Sequence, residues 1–195
     1  MYIDKEYIEK SLLPNEEGSS EQEDSSAAFS GSYILDEYND SPEDAFRKIE
    51  RLLSVRDRSV NEITSRLQRD KYTERAITES VERALRCGYL DDARFADGFI
   101  RSKLRASKGI NGIVRDLKAH GIDAYSIPEF PDAYIEEQGG QLENAIHLLK
   151  RKPPRAKNKR QAAYAKLIRN GFSSSIASSA VRSWLTECEE DMHFA

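Results

Sequence analysis

Three leucines set the first constraint on this chain. Leu67, Leu117 and Leu167 stand fifty residues apart, and each begins a similar ending: Leu67–Tyr72, Leu117-Lys-Ala-His-Gly-Ile122 and Leu167-Ile-Arg-Asn-Gly-Phe172. The register extends backward through Ile63/Ile113/Ala163, Ile49/Phe99/Leu149 and Phe46/Ala96/Ile146. Any helical sequence yields some matches at any offset. The run of aligned apolar positions, joined by the aligned Gly121 and Gly171, favours a true internal repeat. A repeat of this length folds as tandem copies of one supersecondary unit, each burying its apolar face against its own helices and its neighbours.

The unit reads as helix, loop, helix, tight turn, helix. Ser41-Pro42-Glu43-Asp44 opens the first: serine accepts backbone N–H bonds as N-cap, proline suits the first helical position, and acids favour the positive helix end. Phe46, Ile49, Leu52 and Leu53 come next as one stripe at helical spacing. Ser59-Val60-Asn61-Glu62 has the pattern of a capping box, with Ile63 and Leu67 on one face behind it. Thr73 opens a third helix carrying Ile77, Val81 and Leu85, which Gly88 can end. In the second copy Pro128, Pro131 and Gly139-Gly140 interrupt the corresponding stretch, predicting a short or broken third helix and a flexible connection before Leu142. The last copy recovers, with Ile176, Ala180, Val181 and Trp184 at helical spacing.

The expected fold is therefore all-α: three tandem three-helix, helix-turn-helix-like repeats in an elongated, curved arrangement. The expected boundaries are 1–41 for an acidic disordered extension, 42–90, 91–140 and 141–186 for the repeats, and 187–195 for an acidic tail. A core that must be thin suits this arrangement, since 38% of the 195 residues are hydrophobic and 33% are charged. No apolar run approaches the roughly 20 residues of a spanning helix, and no signal peptide is evident, so no membrane role is expected. Cys87 and Cys188 lack metal-type spacing and read as free thiols in a reducing cytoplasm; Cys87 is expected to be a small buried hydrophobe.

Charge is distributed unevenly. The formal net charge is −4, but residues 1–41 carry 11 acids against 2 lysines and residues 187–195 carry 4 acids with no Lys or Arg. The body, 42–186, is left with 28 cations against 19 acids, a net of +9. Its basic residues recur in the first loop of each unit: Arg56 and Arg58, then Lys103, Arg105 and Lys108, then the stretch 150–160. That stretch reads Lys-Arg-Lys-Pro-Pro-Arg-Ala-Lys-Asn-Lys-Arg, seven cations without an acid. Cations at one point of each unit would form an edge able to track phosphates or an acidic protein face.

Catalytic chemistry finds no foothold. There is no phosphate-cradling Gly-rich loop after a strand, no nucleophile elbow, and no His/Cys/acid set at metal-ligand spacing; His120, His147 and His193 are dispersed. Asp91-Asp92 is the one adjacent carboxylate pair of interest, and its position before Ala93-Arg94-Phe95 suits an N-cap and first-turn acid better than a proton-sharing pair. No cofactor, metal or enzymatic activity is expected.

Several segments resemble the RecX family. Ala45-Phe-Arg-Lys-Ile-Glu-Arg-Leu-Leu53, with Arg58-Ser59, Glu62 and Arg66-Leu67, is similar to the family's opening. Gly88-Tyr-Leu-Asp-Asp-Ala-Arg-Phe-Ala96 resembles its most distinctive string. Lys108-Gly109 through Leu117, Gly121-Ile122, and Leu167 through Gly171-Phe172 resemble its later repeats, so the likeness covers about 44–186. It implies a non-catalytic cytoplasmic regulator that lies in the groove of the RecA–single-stranded DNA filament and inhibits recombinase, ATPase and co-protease activity.

Charge and unit position, rather than the resemblance, select the candidate contacts for filament or nucleic acid: Arg56, Arg58, Lys103, Arg105, Lys108, Arg155, Lys157, Lys159 and Arg160. The expected partners are RecA and, more weakly, single-stranded DNA, met by a monomer. A helical-repeat DNA-binding protein acting independently of RecA is the alternative. Such a binder would stack bases on aromatics beside cations. Tyr72, Tyr89, Phe95 and Phe172 are the aromatics to weigh, though their repeat positions suit a core.

Overall fold

Capping residues and apolar stripes build the first three helices where the sequence places them. The structure, a computed structural model, describes residues 38–193, with side chains to Cys188. Helix α1 spans Pro42–Leu53, α2 Val60–Arg69 and α3 Glu74–Arg86. Each begins at a hydroxyl: Ser41 Oγ accepts from the Asp44 amide, Ser59 Oγ from that of Glu62 and Thr73 Oγ1 from that of Ala76, all at 3.2 Å. Phe46 and Ile49 of α1, Ile63 and Leu67 of α2, and Ile77 and Val81 of α3 close a shared core. Burying each such side chain contributes roughly 1.5–3 kcal/mol before entropy is counted.

Ordered contacts begin slightly ahead of the Ser41 cap. Asn39 pairs with the α2–α3 turn, donating to Lys71 O at 2.9 Å and accepting from Thr73 N at 3.0 Å. Asp40 bonds Thr73 and the guanidinium of Arg75. The greater part of the acidic extension, 1–37, lies outside the described residues.

The described chain divides after Asp91 into two units. The second holds α4 (Asp92–Arg105), α5 (Ile110–Ala119), a 3-10 turn (Ala124–Ser126), α6 (Asp132–Glu137), α7 (Gln141–Arg151), α8 (Lys159–Arg169) and α9 (Ser174–His193). Two cores form within it, one around Ile100, Ile113 and Leu117 and one around Leu149, Leu167 and Trp184. Helix α9 continues past 186 into the acidic segment, through His193.

The repeat is present in the backbone as well as the side chains. Leu67, Leu117 and Leu167 are wholly buried, as are Ile63, Ile113 and Ala163. After each leucine helix the chain turns through a left-handed residue, Lys71 at φ +60°, Gly121 at +76° and Gly171 at +88°. The next amide reaches back five residues: Tyr72 N to Leu67 O at 3.1 Å, Ile122 N to Leu117 O at 3.0 Å and Phe172 N to Leu167 O at 3.1 Å. This is the Schellman ending, and it satisfies carbonyls that the helix end would otherwise orphan. Thr73, Asp123 and Ser173 then cap the next element of each copy, bonding the amides of Ala76, Tyr125 and Ile176. Lysine holds in the first copy a conformation that favours glycine, at a cost of about 1–2 kcal/mol.

The second copy departs from this plan at its prolines. In place of a long third helix it has the 3-10 turn, a left-handed Glu129 at φ +62°, and the six-residue α6. Polar contacts hold α6 on α4: Tyr134 donates to Asp97 at 2.9 Å, and Arg101 binds Asp97 at 3.1 Å and also Glu137. Arg101 foremost, with Tyr134, keeps the Asp97 carboxyl below the usual range against the opposing effect of burial.

A flexible connection before Leu142 would leave the second and third copies free to adjust, but a backbone seam ties them. Gly109 N donates to Asn170 O at 3.0 Å and Asn111 N to Gly171 O at 3.1 Å. A Cβ on Gly171 would fall 2.1 Å from Gly112 N, so only glycine permits this approach.

Two further expectations are corrected. Cys87 is exposed rather than buried, because it stands at the C-cap of α3, beyond the last core-facing turn at Ala84. Tyr89 is 46% exposed, resting edge-on against Phe46 at 5.7 Å instead of entering the core. Tyr72 is partly buried, and Phe95 and Phe172 are buried as their register implies. Asp91 and Asp92 part company, with Asp91 exposed and Asp92 buried in the first turn of α4.

Candidate polyanion interface

The nine candidate cations meet different environments. In the first unit Arg56 donates to Glu62 Oε2 at 3.0 Å, and its other nitrogen contacts Oε1. Arg58 binds the same carboxylate and donates to Leu52 O at 3.2 Å, closing the C-terminal end of α1. Burial pushes the Glu62 carboxyl up, but Arg56 and Arg58 outweigh it and hold it below the usual carboxylate range. Both arginines thus brace the α1–α2 loop, and Arg58, its side chain only 18% exposed, has little surface left to offer.

The second group is mixed. Lys108 pairs with Asp116 of α5. Lys103 places its ammonium over the Phe99 ring, 4.7 Å from the centroid. Arg105 is exposed and has no ion pair among the described residues. This loop lies against the end of α7: Arg151 donates to Ala106 O at 3.3 Å, and Ser107 Oγ is 3.3 Å from His147 Nδ1.

From that end the basic stretch leaves as an irregular loop. Arg155, Lys157, Lys159 and Arg160 are all exposed, and among the described residues none has an acidic partner. Lys150, by contrast, pairs with Glu187 of α9 at 2.7 Å. A further cation, Lys166, is absent from the sequence-based candidates; its ammonium reaches back to Lys152 O. Burial, then the nearby charges of Lys152 and Arg151, push its pKa down. Burial is the larger cause and the two neighbouring cations the smaller, and a lysine within a helix carries no sequence mark of that placement.

Exposed cations without acidic partners give this stretch a charge able to attract anions. No group of three or more His, Cys, Asp or Glu able to hold a metal occurs among the described residues. No described helix is long and apolar enough to cross a membrane.

Comparisons with known proteins agree on one family. The profile for the second three-helix domain of RecX matches residues 91–129. The chain is 32% identical over 161 residues to the regulatory protein RecX of Bacillus licheniformis, covering 80% of this chain and 60% of that protein. It is 30% identical over 135 residues to the regulatory protein RecX of Stenotrophomonas maltophilia, covering 67% of this chain and 81% of the relative. The crystal structure of RecX from Lactobacillus salivarius superposes with a TM-score of 0.58 at 19% identity, covering 73% of this chain and 96% of that one. Against the Bacillus licheniformis protein, the match spans about 60% of the relative's length.

Proposed function

This chain belongs to the RecX family, and from that premise we propose that it restrains the RecA recombinase by binding the RecA–single-stranded DNA filament. Bound there, it lowers recombinase, ATPase and co-protease activity through competition for a surface, without chemistry of its own. It acts as a monomer in the cytoplasm, with the units 42–90, 91–140 and 141–186 laid along the filament. Fold alone would not support this reading, since helical repeats serve many functions.

One observation carries the choice of contact surface. Arg155, Lys157, Lys159 and Arg160 are exposed and unpaired among the described residues, whereas Arg56, Arg58 and Lys108 already hold acids. Free cations release counterions from a phosphate backbone; paired ones must first give up a partner. Of the nine candidates, these four with Arg105 are the proposed contacts, Arg56, Arg58 and Lys108 are bracing residues, and Lys103 is occupied by the Phe99 ring.

The test is DNA-dependent ATP hydrolysis by the cognate RecA, with this protein titrated in below stoichiometric ratio. Inhibition is expected, and it should disappear when Arg155, Lys157, Lys159 and Arg160 are changed together to Glu, with helicity unchanged. A folded protein that leaves hydrolysis untouched at any ratio would overturn the RecA reading and favour an independent nucleic-acid binder.

A further inference from the structure

Tyr164 occupies the solvent side of α8, while Ala163 and Leu167 of the same helix are wholly buried. It is 37% exposed, and Ile168, one turn on, is 40% exposed. Among the described residues its ring meets no other ring and its hydroxyl makes no hydrogen bond. The neighbouring cases differ: exposed Tyr89 and Tyr125 each lie edge-on to a phenylalanine, at 5.7 Å. Fifty residues earlier the same register holds Ile110, which is buried, and Val114, which is partly buried. In α8 those positions are Arg160 and Tyr164, a cation and an aromatic ring one turn apart.

Between α8 and α9 lies an open hollow of about 280 Å³, bordered by Asn158, Arg160, Gln161 and Tyr164 with Val181 beneath. Enclosing small-molecule clefts run from about 300 Å³ upward. This one is smaller and open, which suits a flat group laid against a ring. The unpaired cations at 155–160 lead directly into it, with Arg160 on its rim.

We propose that Tyr164 is a stacking platform for one base of a single-stranded nucleic acid, with Arg160 and Lys157 holding the flanking phosphates. The proposal rests on the reading that the 150–160 stretch meets nucleic acid, and adds that the site engages bases as well as phosphates. Every base has a π-face, so such a platform is tolerant of sequence, and a cation beside it anchors the strand. On the rim, the Asn158 side-chain carbonyl accepts from the Gln161 backbone amide at 3.0 Å, which fixes Asn158 without committing the hollow to one base.

The test is fluorescence anisotropy of the full chain with two labelled strands of equal length, oligo-dT and an abasic strand with the same phosphates. Wild type should bind oligo-dT more tightly, by about 5-fold or more. Tyr164→Ala should erase that preference while leaving the abasic strand unaffected, and Tyr164→Phe should retain it. Tyr164 is a surface residue, and circular dichroism checks that the variants remain folded. Equal binding of both strands by wild type would overturn the stacking proposal but leave the phosphate contacts standing. Binding of neither strand would overturn both, and would point to an acidic protein face as the sole occupant of the basic stretch.

Discussion

The Arg56–Glu62 loop and the Lys150–Arg160 stretch occupy corresponding places in the first and third copies of one repeat. They use their cations in opposite ways. In the first, a single carboxylate collects Arg56 and Arg58, and Arg58 also closes a helix end through Leu52 O. In the third, no acid falls within the loop, and Arg155, Lys157, Lys159 and Arg160 stand in solvent. An arginine's type and position in a repeat therefore do not decide whether it binds a partner. The deciding factor is whether the fold brings an acid within reach, because a pair formed inside the chain neutralises the field an incoming phosphate would feel.

Three measurements can break or sharpen this contrast. The largest effect is expected in salt dependence. Changing Arg155, Lys157, Lys159 and Arg160 together to Gln should flatten the slope of log affinity for oligo-dT against log salt by about 3, close to 0.7 for each phosphate no longer neutralised. The same change at Arg56 and Arg58 should leave the slope nearly intact. Equal flattening by both would abolish the distinction.

Stability should show the reverse order. Glu62→Gln is expected to cost about 1–2 kcal/mol in urea unfolding at neutral pH, mostly through the well-covered Arg58 contact and less through half-exposed Arg56. The four-residue change in the third copy should fall within about 0.5 kcal/mol of wild type. A large destabilisation there would mean those cations are structural after all.

The smallest effect is in pH. The folded Glu62 carboxyl is depressed, so its stabilisation is present above the ordinary carboxylate range and disappears as pH falls through the lowered value. The gap between wild type and Glu62→Gln should accordingly narrow below about pH 4. A gap that stays constant to lower pH would assign the effect to packing rather than charge.

Much of the fold is legible because it is written in local patterns. Apolar spacing and the caps at Ser41, Ser59 and Thr73 mark the first three helices, and the fifty-residue register marks their recurrence. Pro128 and Pro131 mark the interruption that leaves only a 3-10 turn and α6. Asp123 and Ser173 are harder to see as caps although they share Thr73's register, since comparing side-chain types hides a shared role. Lys71 hides the left-handed turn that Gly121 and Gly171 announce. The candidate site is less legible. Charge and unit position select nine cations without ranking them, and repeat position draws attention to aromatics other than Tyr164.

By itself, then, the sequence determined the helices, their repetition and the basic character of the body. These arise from spacing, capping and charge within a turn or two of chain. The structure decided which cations are paired, that Tyr164 lies on the surface, and that the second and third copies meet through Gly109, Gly112 and Gly171. The seam depends on atoms distant in sequence, and the pairs of Arg56 and Arg58 with Glu62 depend on the path of the α1–α2 loop. Arg151 finds Ala106 O only once the helices have packed, Lys108 finds Asp116 along the start of α5, and among the described residues no acid comes within reach of Arg155, Lys157, Lys159 or Arg160.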